Sequence, residues 1–581
     1  MNFLRRCGVL SVLAAAQAGV ADEVSWYVQE DFKFWRGSDL LLQLEIPEEG
    51  VPFLVPGEED REVLESRLEL GMSWKQWRAD FRFDALQPFY YSVRPLPAPA
   101  DYTEAPTEFV GLRKAALEYD SGHSRYTTLL RVGSVGAQFA RGLALKADEA
   151  QEVGVDRELD GVLLNQSLGD DASLEAIAGI ANYLAFEIGD DYAVPMVAGA
   201  EARWFGLDWL DWGLGAVGVR SGEEDTEYRN LKAFNSLSLF TEHLDAYVAT
   251  VANWAETPTD DEEVGPGFGI YSDVTLSLPW FDVRAEYKFY NLNEEHQISS
   301  DPGLPWTDPP TLRPIHSLET LNRKSFTANP NNEVGFAVTV EGELGPGAAS
   351  VEYVLTSYNH YIDLTTRGEI WRPWPRWEDL PEGFPASANS SNPFEELAFS
   401  YEWGGGERWA HSTLVLDITS ISEAPRRKEH TAGWINEFEF DNGYGVNVQL
   451  EYQRVSNGVF RALYENPFYR PEAEPGDESP VFQDLLFSFE VSPSSDLGAY
   501  VRYEATNEGG LQEEIRFAGG ADRVDDHYLA AGARFRIPRL ENNDFHVSVG
   551  RTRGGVVCVG GVCQRIDTFE GVKLEWNGRF N

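Results

Sequence analysis

The sequence predicts an all-β protein that forms a single large antiparallel transmembrane β-barrel. From about residue 266 onward, apolar and polar residues alternate in segments of about ten residues, as where Leu276 stands between Thr275 and Ser277. Tight turns and long polar connections alternate between these segments. No stretch after the N-terminus approaches the roughly 18–20 continuous apolar residues of a spanning helix. Together these features are typical of outer-membrane barrels.

The first residues have the pattern of a secretory signal. A basic pair at residues 5–6 precedes an apolar stretch, and small residues follow up to Ala21. We expect cleavage after Ala18 or Ala21. The chain is therefore divided into a signal peptide, residues 1–21, and an outer-membrane β-barrel, residues 22–581.

The composition of the chain indicates which kinds of molecule it can contact. The formal net charge of −48 excludes nucleic acid as a partner. Aromatic residues make up 13% of the chain and include 17 Trp, and in barrels Trp and Tyr form belts at the two membrane interfaces. A large secreted β-protein with an aromatic core is the alternative that composition leaves open.

Strands can be traced in hairpins through the C-terminal part and, with weaker alternation, through the N-terminal part. The C-terminal hairpins pair residues 274–278 with 283–289, 334–340 with 349–355, 397–403 with 410–416, 434–440 with 446–452, 485–491 with 497–503, and 529–537 with 545–549. N-terminal strands are expected at 68–74 and 79–83, and near 38–46, 108–119, 125–137, 159–167, 172–181, 196–204, 209–220, 230–241 and 244–254. The total is about 24 strands, within a range of about 16–24.

The connections predict how the barrel is oriented. Long ones are expected at about 291–332, 359–393, 419–430, 456–481 and 507–525. In bacterial barrels the short turns are periplasmic and the long loops face outward. An even number of strands then places both termini on the periplasmic side.

The two faces of the predicted strands differ in polarity. The apolar face is predicted to contact lipid and includes Leu276, Val283, Phe438, Val448, Phe487 and Val501. The alternate polar residues are predicted to line the lumen. They are Arg284, Glu286, Lys288, Glu437, Glu439, Glu451, Arg502, Glu504, Arg534, Arg536, Lys573 and Glu575.

Two cysteines, Cys558 and Cys563, remain in the predicted mature chain, on either side of Gly560-Gly561. A two-residue Gly-Gly turn would place them opposite each other in a non-hydrogen-bonded pair, where the Cα atoms come closest. Two facing cysteines in an exported chain favour a disulfide. The alternatives are a reduced pair and a metal site, although no second ligand pair lies nearby.

The last strand alternates apolar residues such as Leu574 and Trp576 with charged ones, and it looks like the C-terminal targeting strand of outer-membrane proteins. That resemblance implies recognition by the barrel assembly machinery. Such strands normally end in an aromatic residue, whereas here Asn581 follows Phe580. The run 554–564 also resembles a family of uncharacterised, porin-like bacterial outer-membrane barrels with a C-terminal cysteine hairpin. This resemblance implies a β-barrel fold and a location in the outer membrane of a Gram-negative bacterium, but no activity.

Catalytic motifs give little support for an enzyme. Residues 213–218 match G-x-G-x-x-G but lie in an alternating strand, so small lumen-facing residues are the favoured interpretation. Asp525, Asp526 and His527 resemble part of the site of outer-membrane proteases, without the second pair of carboxylates. No G-x-S-x-G or H-E-x-x-H motif is present. We predict no enzyme activity, no cofactor and no metal site.

One connection differs from the others. Residues 139–145, Phe-Ala-Arg-Gly-Leu-Ala-Leu, and the charged run 155–161 combine apolar, small and charged residues. The connection is predicted either to fold inward and constrict the lumen, with Arg141 facing acids, or to form an ordinary outer loop.

The sequence favours a porin-like channel for passive or facilitated diffusion of a small solute. Outer-membrane lipid and lipopolysaccharide are the expected surroundings, and the excess of acid predicts a preference for cations or neutral solutes over anions. A surface-exposed binding or structural barrel with no open channel is the alternative, and a barrel-borne hydrolase is the least favoured.

Overall fold

The alternating segments form 24 strands that close into one antiparallel β-barrel in the computed structural model of the protein. Each barrel strand pairs with the barrel strands before and after it, and the first, Val24–Glu45, also pairs with the last, Phe569–Phe580. This pairing closes the ring and leaves no sheet edge. The predicted all-β fold and the predicted number of about 24 strands are confirmed. Among the described residues, no helix is long and apolar enough to cross a membrane.

The described residues comprise the barrel strands and part of the connections. They are 24–45, 53–87, 109–122, 126–150, 155–156, 158–181, 195–221, 228–256, 267–291, 310, 312, 333–358, 394–404, 410–421, 427–440, 444–456, 481–506, 527–536, 543–553, 555–559, 562–566 and 569–580. The predicted signal peptide, residues 1–21, lies outside them, as do Asp525 and Asp526.

The barrel strands are named β1 to β24 in chain order. β1 to β8 are Val24–Glu45, Phe53–Trp74, Trp77–Gln87, Phe109–Asp120, Thr128–Val135, Leu159–Ser167, Ala172–Ala181 and Met196–Leu207. β9 to β16 are Leu210–Ser221, Tyr228–Phe240, Leu244–Glu256, Gly267–Ser277, Phe281–Asn291, Glu333–Leu344, Gly347–Tyr358 and Phe394–Gly404. β17 to β24 are Ala410–Ile421, Arg427–Phe440, Tyr444–Ser456, Val481–Ser494, Leu497–Thr506, His527–Arg536, Asn543–Thr552 and Phe569–Phe580.

The two ends of the barrel carry connections of different length. At one end they run from two residues, at 75–76, to seven residues, at 121–127. At the other end they reach 41 residues, at 292–332. The prediction of a long connection at 419–430 is wrong. The pairing of β17 with β18 extends to Ile421 and Arg427, so only residues 422–426 connect the two strands.

Polarity separates the two faces of the barrel wall. Leu276, Phe487 and Val501 are among the exposed large apolar side chains, and they point away from the charged residues that alternate with them along each strand. The cross-strand pairs keep this parity, since Leu276 lies opposite Val283 and Thr275 opposite Arg284. One face is therefore a continuous apolar surface, and the other is charged and polar.

The cysteines lie in a hairpin of their own within the connection between β23 and β24. Its strands, Gly555–Val559 and Val562–Ile566, pair with each other and not with the barrel sheet. Their register places Cys558 opposite Cys563. The disulfide between them remains a prediction.

We expect the unreduced protein to contain a Cys558–Cys563 disulfide, which mass spectrometry of its peptides would detect. The double variant Cys558→Ser, Cys563→Ser should still assemble, because closing so short a loop contributes about 2 kcal/mol at most. Its hairpin should be cleaved faster than that of the wild type by protease added from outside the cell. Two free thiols, or a cysteine linked to another chain, would contradict the prediction.

Candidate functional site in the barrel lumen

The connection between β5 and β6 does not form an ordinary loop. Within it, Ala137–Phe139 pairs with Leu145–Ala147, and a 3-10 turn, Ala140–Gly142, joins the two. We call residues 136–150 the inner segment. Phe139, the apolar run 143–145 and Ala147 in this segment are fully buried. A loop projecting into solvent would leave such side chains exposed, so the segment is packed against the barrel.

The inner segment packs on the charged face of the wall, at an apolar patch. The Phe139 ring stacks with that of Phe234 on β10, with centroids 5.7 Å apart. It also crosses Gly199 on β8, where an added Cβ would lie 3.0 Å from Phe139 Cε2. Phe234 and Gly199 belong to the polar face of the wall, opposite the exposed apolar side chains such as Leu231. The segment therefore lies in the lumen, and the inward alternative predicted for this connection is confirmed.

Glycines on β9 make room for this packing. An added Cβ at Gly215 would lie 2.3 Å from the Phe234 ring, and one at Gly213 would lie 2.7 Å from Oε1 of Glu201. Both positions belong to the G-x-G-x-x-G match, which lies within a barrel strand. The first two glycines of the match therefore face the lumen, whereas Gly218 lies on the same face of the strand as the exposed Leu214.

The tip of the inner segment is strained. Ala140, Arg141 and Gly142 have φ angles of 49°, 53° and 88°, and such left-handed backbone costs roughly 1–2 kcal/mol for each non-glycine residue. Ala140 is buried, so the packing of the segment holds this conformation. The turn directs the Arg141 side chain away from the apolar patch. Backbone strain of this kind often marks a functional position.

Arg141 joins an ion-pair network on β12 and β13. Its Nη1 donates to Oδ2 of Asp273 at 3.0 Å, and its guanidinium carbon lies 4.0 Å from the centroid of the Tyr247 ring. Arg284 binds the same carboxylate with two hydrogen bonds. Its Nε donates to Oδ1 at 2.9 Å and its Nη2 donates to Oδ2 at 3.0 Å. Nη2 of Arg284 also lies 3.2 Å from Oε1 of Glu286. Two guanidinium groups thus converge on Asp273.

The bases in this network are more exposed than the acids. The side chains of Arg141 and Arg284 are 46% and 48% exposed, whereas those of Asp273 and Glu286 are 14% and 11% exposed. Nearby on β8, Arg203 is 44% exposed and pairs at 2.6 Å with the fully buried Glu201. This part of the wall therefore presents guanidinium groups to the lumen and keeps the carboxylates behind them.

A second connection also reaches this wall. The hydroxyl of Tyr290 on β13 donates to the carbonyl oxygen of Pro310 at 3.0 Å, and Leu312 is buried in the same apolar cluster as the inner segment. Pro310 and Leu312 belong to the connection between β13 and β14. These two residues therefore contact the same wall as the inner segment.

The other predicted lumen residues fall into separate groups. Lys288 is fully buried, with Nζ 5.8 Å from the Tyr290 ring centroid. Glu437 and Glu439 are exposed on β18, whereas Glu451 on β19 is buried and bonded to Gln449. On β21 to β24, Arg502 pairs with Glu504, Arg534 and Arg536 each lie 4.0 Å from Asp544, and Lys573 lies 2.8 Å from Glu575. Their role in lining a channel remains a prediction.

The protease-like motif does not form a lumen site in the described residues. His527 lies on the apolar outer face, where its Nδ1 is 2.8 Å from the hydroxyl of Tyr503 and the two rings stack. No group of three or more potential metal-binding His, Cys, Asp or Glu side chains occurs in the described part of the chain.

Comparison with known proteins finds a similarity in the C-terminal strands. A model for a family of unknown function, DUF6029, matches residues 489–580, which run from β20 to β24. No curated protein matches the sequence.

The chain is also similar to several solved structures. The translocation pore of the P pilus usher PapC has 9% identity and a TM-score of 0.44, over 96% of this chain and 99% of the usher. OccK3 (OpdO) of Pseudomonas aeruginosa has 11% identity and a TM-score of 0.34, over 74% and 96%. The copper transporter OprC has 8% identity and a TM-score of 0.37, over 96% and 80%. Likenesses this weak transfer no residue role or substrate to this chain.

Proposed function

We propose that this protein is a porin-like channel that lets a small solute cross the outer membrane by passive or facilitated diffusion. The observation that carries the proposal is the inner segment. It lies inside the barrel, packs on one wall and turns a charged tip toward the remaining space. A segment that only closed the end of the barrel would need no strained turn and no network with the wall.

The proposed location rests on the outer surface of the barrel. Large apolar side chains such as Trp212, Leu416 and Phe487 are exposed there, and a closed barrel satisfies every strand edge within itself. The longer connections would face outward, toward lipopolysaccharide, and the short turns the periplasm. β24, which closes the barrel, would be the strand recognised by the assembly machinery.

The size of the ring explains why a constriction is needed. At a strand spacing of about 4.8 Å and a tilt of about 40°, 24 strands give a backbone diameter of roughly 48 Å if the ring is circular. Wall side chains alone leave such a lumen wide open, because barrels of about 16 strands already hold aqueous channels. The inner segment narrows the lumen, and its own side chains then line part of the remaining path.

The full-length protein, purified and inserted into planar lipid bilayers, is expected to produce stepwise increases in current in KCl. Ions should cross because the remaining lumen wall is charged and polar. Heat-unfolded protein is the control and should produce no steps. A protein that migrates as a folded barrel on unboiled gels but carries no current would contradict the channel.

A second candidate is a surface-exposed binding or structural barrel with a closed lumen. The contacts of Pro310 and Leu312 favour it, because they place two residues of a second connection against the same wall. The same conductance measurement separates the two candidates. Neither proposal assigns a catalytic role to the protein.

A further inference from the structure

The strongest unassigned feature of the lumen is the pair of guanidinium groups at the tip of the inner segment. Nη1 of Arg141 and Nη2 of Arg284 both lie 3.0 Å from Oδ2 of Asp273, so the two nitrogen atoms are at most about 6 Å apart. One arginine comes from the inner segment and the other from the barrel wall. The pair therefore exists only while the segment is folded inward.

Both arginines keep hydrogen-bonding capacity for a ligand. Among the described residues, Arg141 donates to Asp273 through Nη1 alone, and Arg284 uses Nε and Nη2. A guanidinium carries five N–H donors in a planar fork. With nearly half of each side chain exposed, the remaining donors are accessible from the lumen.

The surroundings of the pair favour a planar anion over a simple ion. Asp273 and Glu286 offset the two positive charges, and Glu352 also interacts electrostatically with Arg284, so the cluster exerts little long-range attraction on chloride. The cluster can instead form short-range, directional hydrogen bonds, because the arginine fork matches the two oxygens of a carboxylate. The Tyr247 ring stacked on Arg141 holds one fork in place, and the Tyr271 hydroxyl donates to Glu286 at 2.5 Å, which fixes the acid behind the other.

We infer that Arg141 and Arg284 form a binding site for small organic carboxylates within the lumen. The site deepens the proposed channel function, on which its biological use rests, by naming the class of solute. It runs opposite to the preference expected from the net charge of −48, because the residues that face the lumen here are bases. A dicarboxylate can engage both forks at once.

Succinate binding to the purified, folded barrel in detergent tests the site by isothermal titration calorimetry. Saturable binding is expected, with none for the neutral analogue succinamide and weaker binding for phosphate. Arg284→Gln and Arg284→Lys should each weaken succinate binding about tenfold or more, because both remove charge-assisted, bidentate hydrogen bonds. The matched control is Arg203→Gln, which removes an equally exposed arginine that pairs with Glu201 and not with Asp273. It should leave the affinity unchanged.

The outcomes separate this inference from the channel proposal. Equal losses in Arg203→Gln and Arg284→Gln, or full affinity in Arg284→Lys, would reduce the effect to general charge and overturn the site. Phosphate binding tighter than succinate binding would overturn the carboxylate class. A barrel that conducts but does not bind succinate keeps the channel and loses the site. One that binds succinate saturably but carries no current keeps the site and loses the channel.

Discussion

Phe139→Asp is expected to release the inner segment from the wall and increase the single-channel conductance. The Phe139 ring is fully buried between Gly199 and Phe234. Truncating a buried Phe costs about 3–5 kcal/mol, and a carboxylate without a partner in that pocket costs more. A loss of about 4 kcal/mol shifts the equilibrium between the packed and released segment by roughly a thousandfold toward release. Planar-bilayer recordings would measure the change.

The adjacent residue provides the matched control. Gln138 lies in the same short strand but is exposed, so Gln138→Asp adds the same charge without entering the pocket. It should leave the conductance close to that of the wild type. Gly199→Leu disrupts the same contact from the barrel wall, because the leucine side chain would occupy the space of the Phe139 ring. This variant should behave like Phe139→Asp. Unchanged conductance in both Phe139→Asp and Gly199→Leu would show that the segment does not restrict ion flow.

Most of the barrel follows from dyad alternation in the sequence. The predicted strands at 159–167 and 172–181 coincide with β6 and β7, and the predicted hairpin at 334–355 is present, with Val340 opposite Val351 in the structure. One-residue register slips would turn the apolar side chains inward, so the alternation excludes such slips. Tight turns then determine which strands are neighbours.

The first two strands show where that signal stops. The strands predicted near 38–46 and at 68–74 form the ends of β1 and β2, but β1 already begins at Val24 and β2 at Phe53. The stretch 57–62 contains a glycine and a run of charged residues, which do not alternate with apolar ones. It still pairs with β1, as where Glu62 lies opposite Arg36, because the backbone ladder forms without help from side-chain polarity.

The lumen site was only partly predictable. The composition of residues 139–145 indicated an unusual connection, and Arg141 was expected to face acids if it folded inward. Asp273 and Tyr247 could have been placed on the polar face by parity, but their distance from Arg141 depends on tertiary packing between segments more than 100 residues apart. Local periodicity carries no information on such contacts.

Net charge was a poor guide to the lumen surface for a physical reason. Acids and bases on the wall form pairs, and the longer arginine side chain extends past the carboxylate that it binds, as Arg203 does over Glu201. Arginine retains water contact at its head while its stem covers the acid. Much of the acidic excess therefore does not define what a solute meets at this wall.

An arginine on the apolar face should destabilise the barrel far more than one on the polar face. Val351 on β15 is 42% exposed and lies between Val340 and Phe399 of the adjacent strands, so Val351→Arg places a charge among apolar neighbours. On a lipid-facing surface near mid-bilayer the cost is about 2–4 kcal/mol. Urea-unfolding of the protein refolded into lipid vesicles, followed by tryptophan fluorescence, would measure the difference in free energy of unfolding.

Ser350→Arg is the control, because the two positions are neighbours in sequence and face opposite sides of the same strand. The Ser350 hydroxyl lies 3.4 Å from Oε1 of Glu341, so an arginine there meets an acid and the polar lumen. Its cost should stay within about 0.5 kcal/mol, as for ordinary exposed substitutions. Similar costs at both positions would mean that both faces of the wall are packed alike. That result would favour a secreted β-protein and would remove the membrane location on which the channel depends.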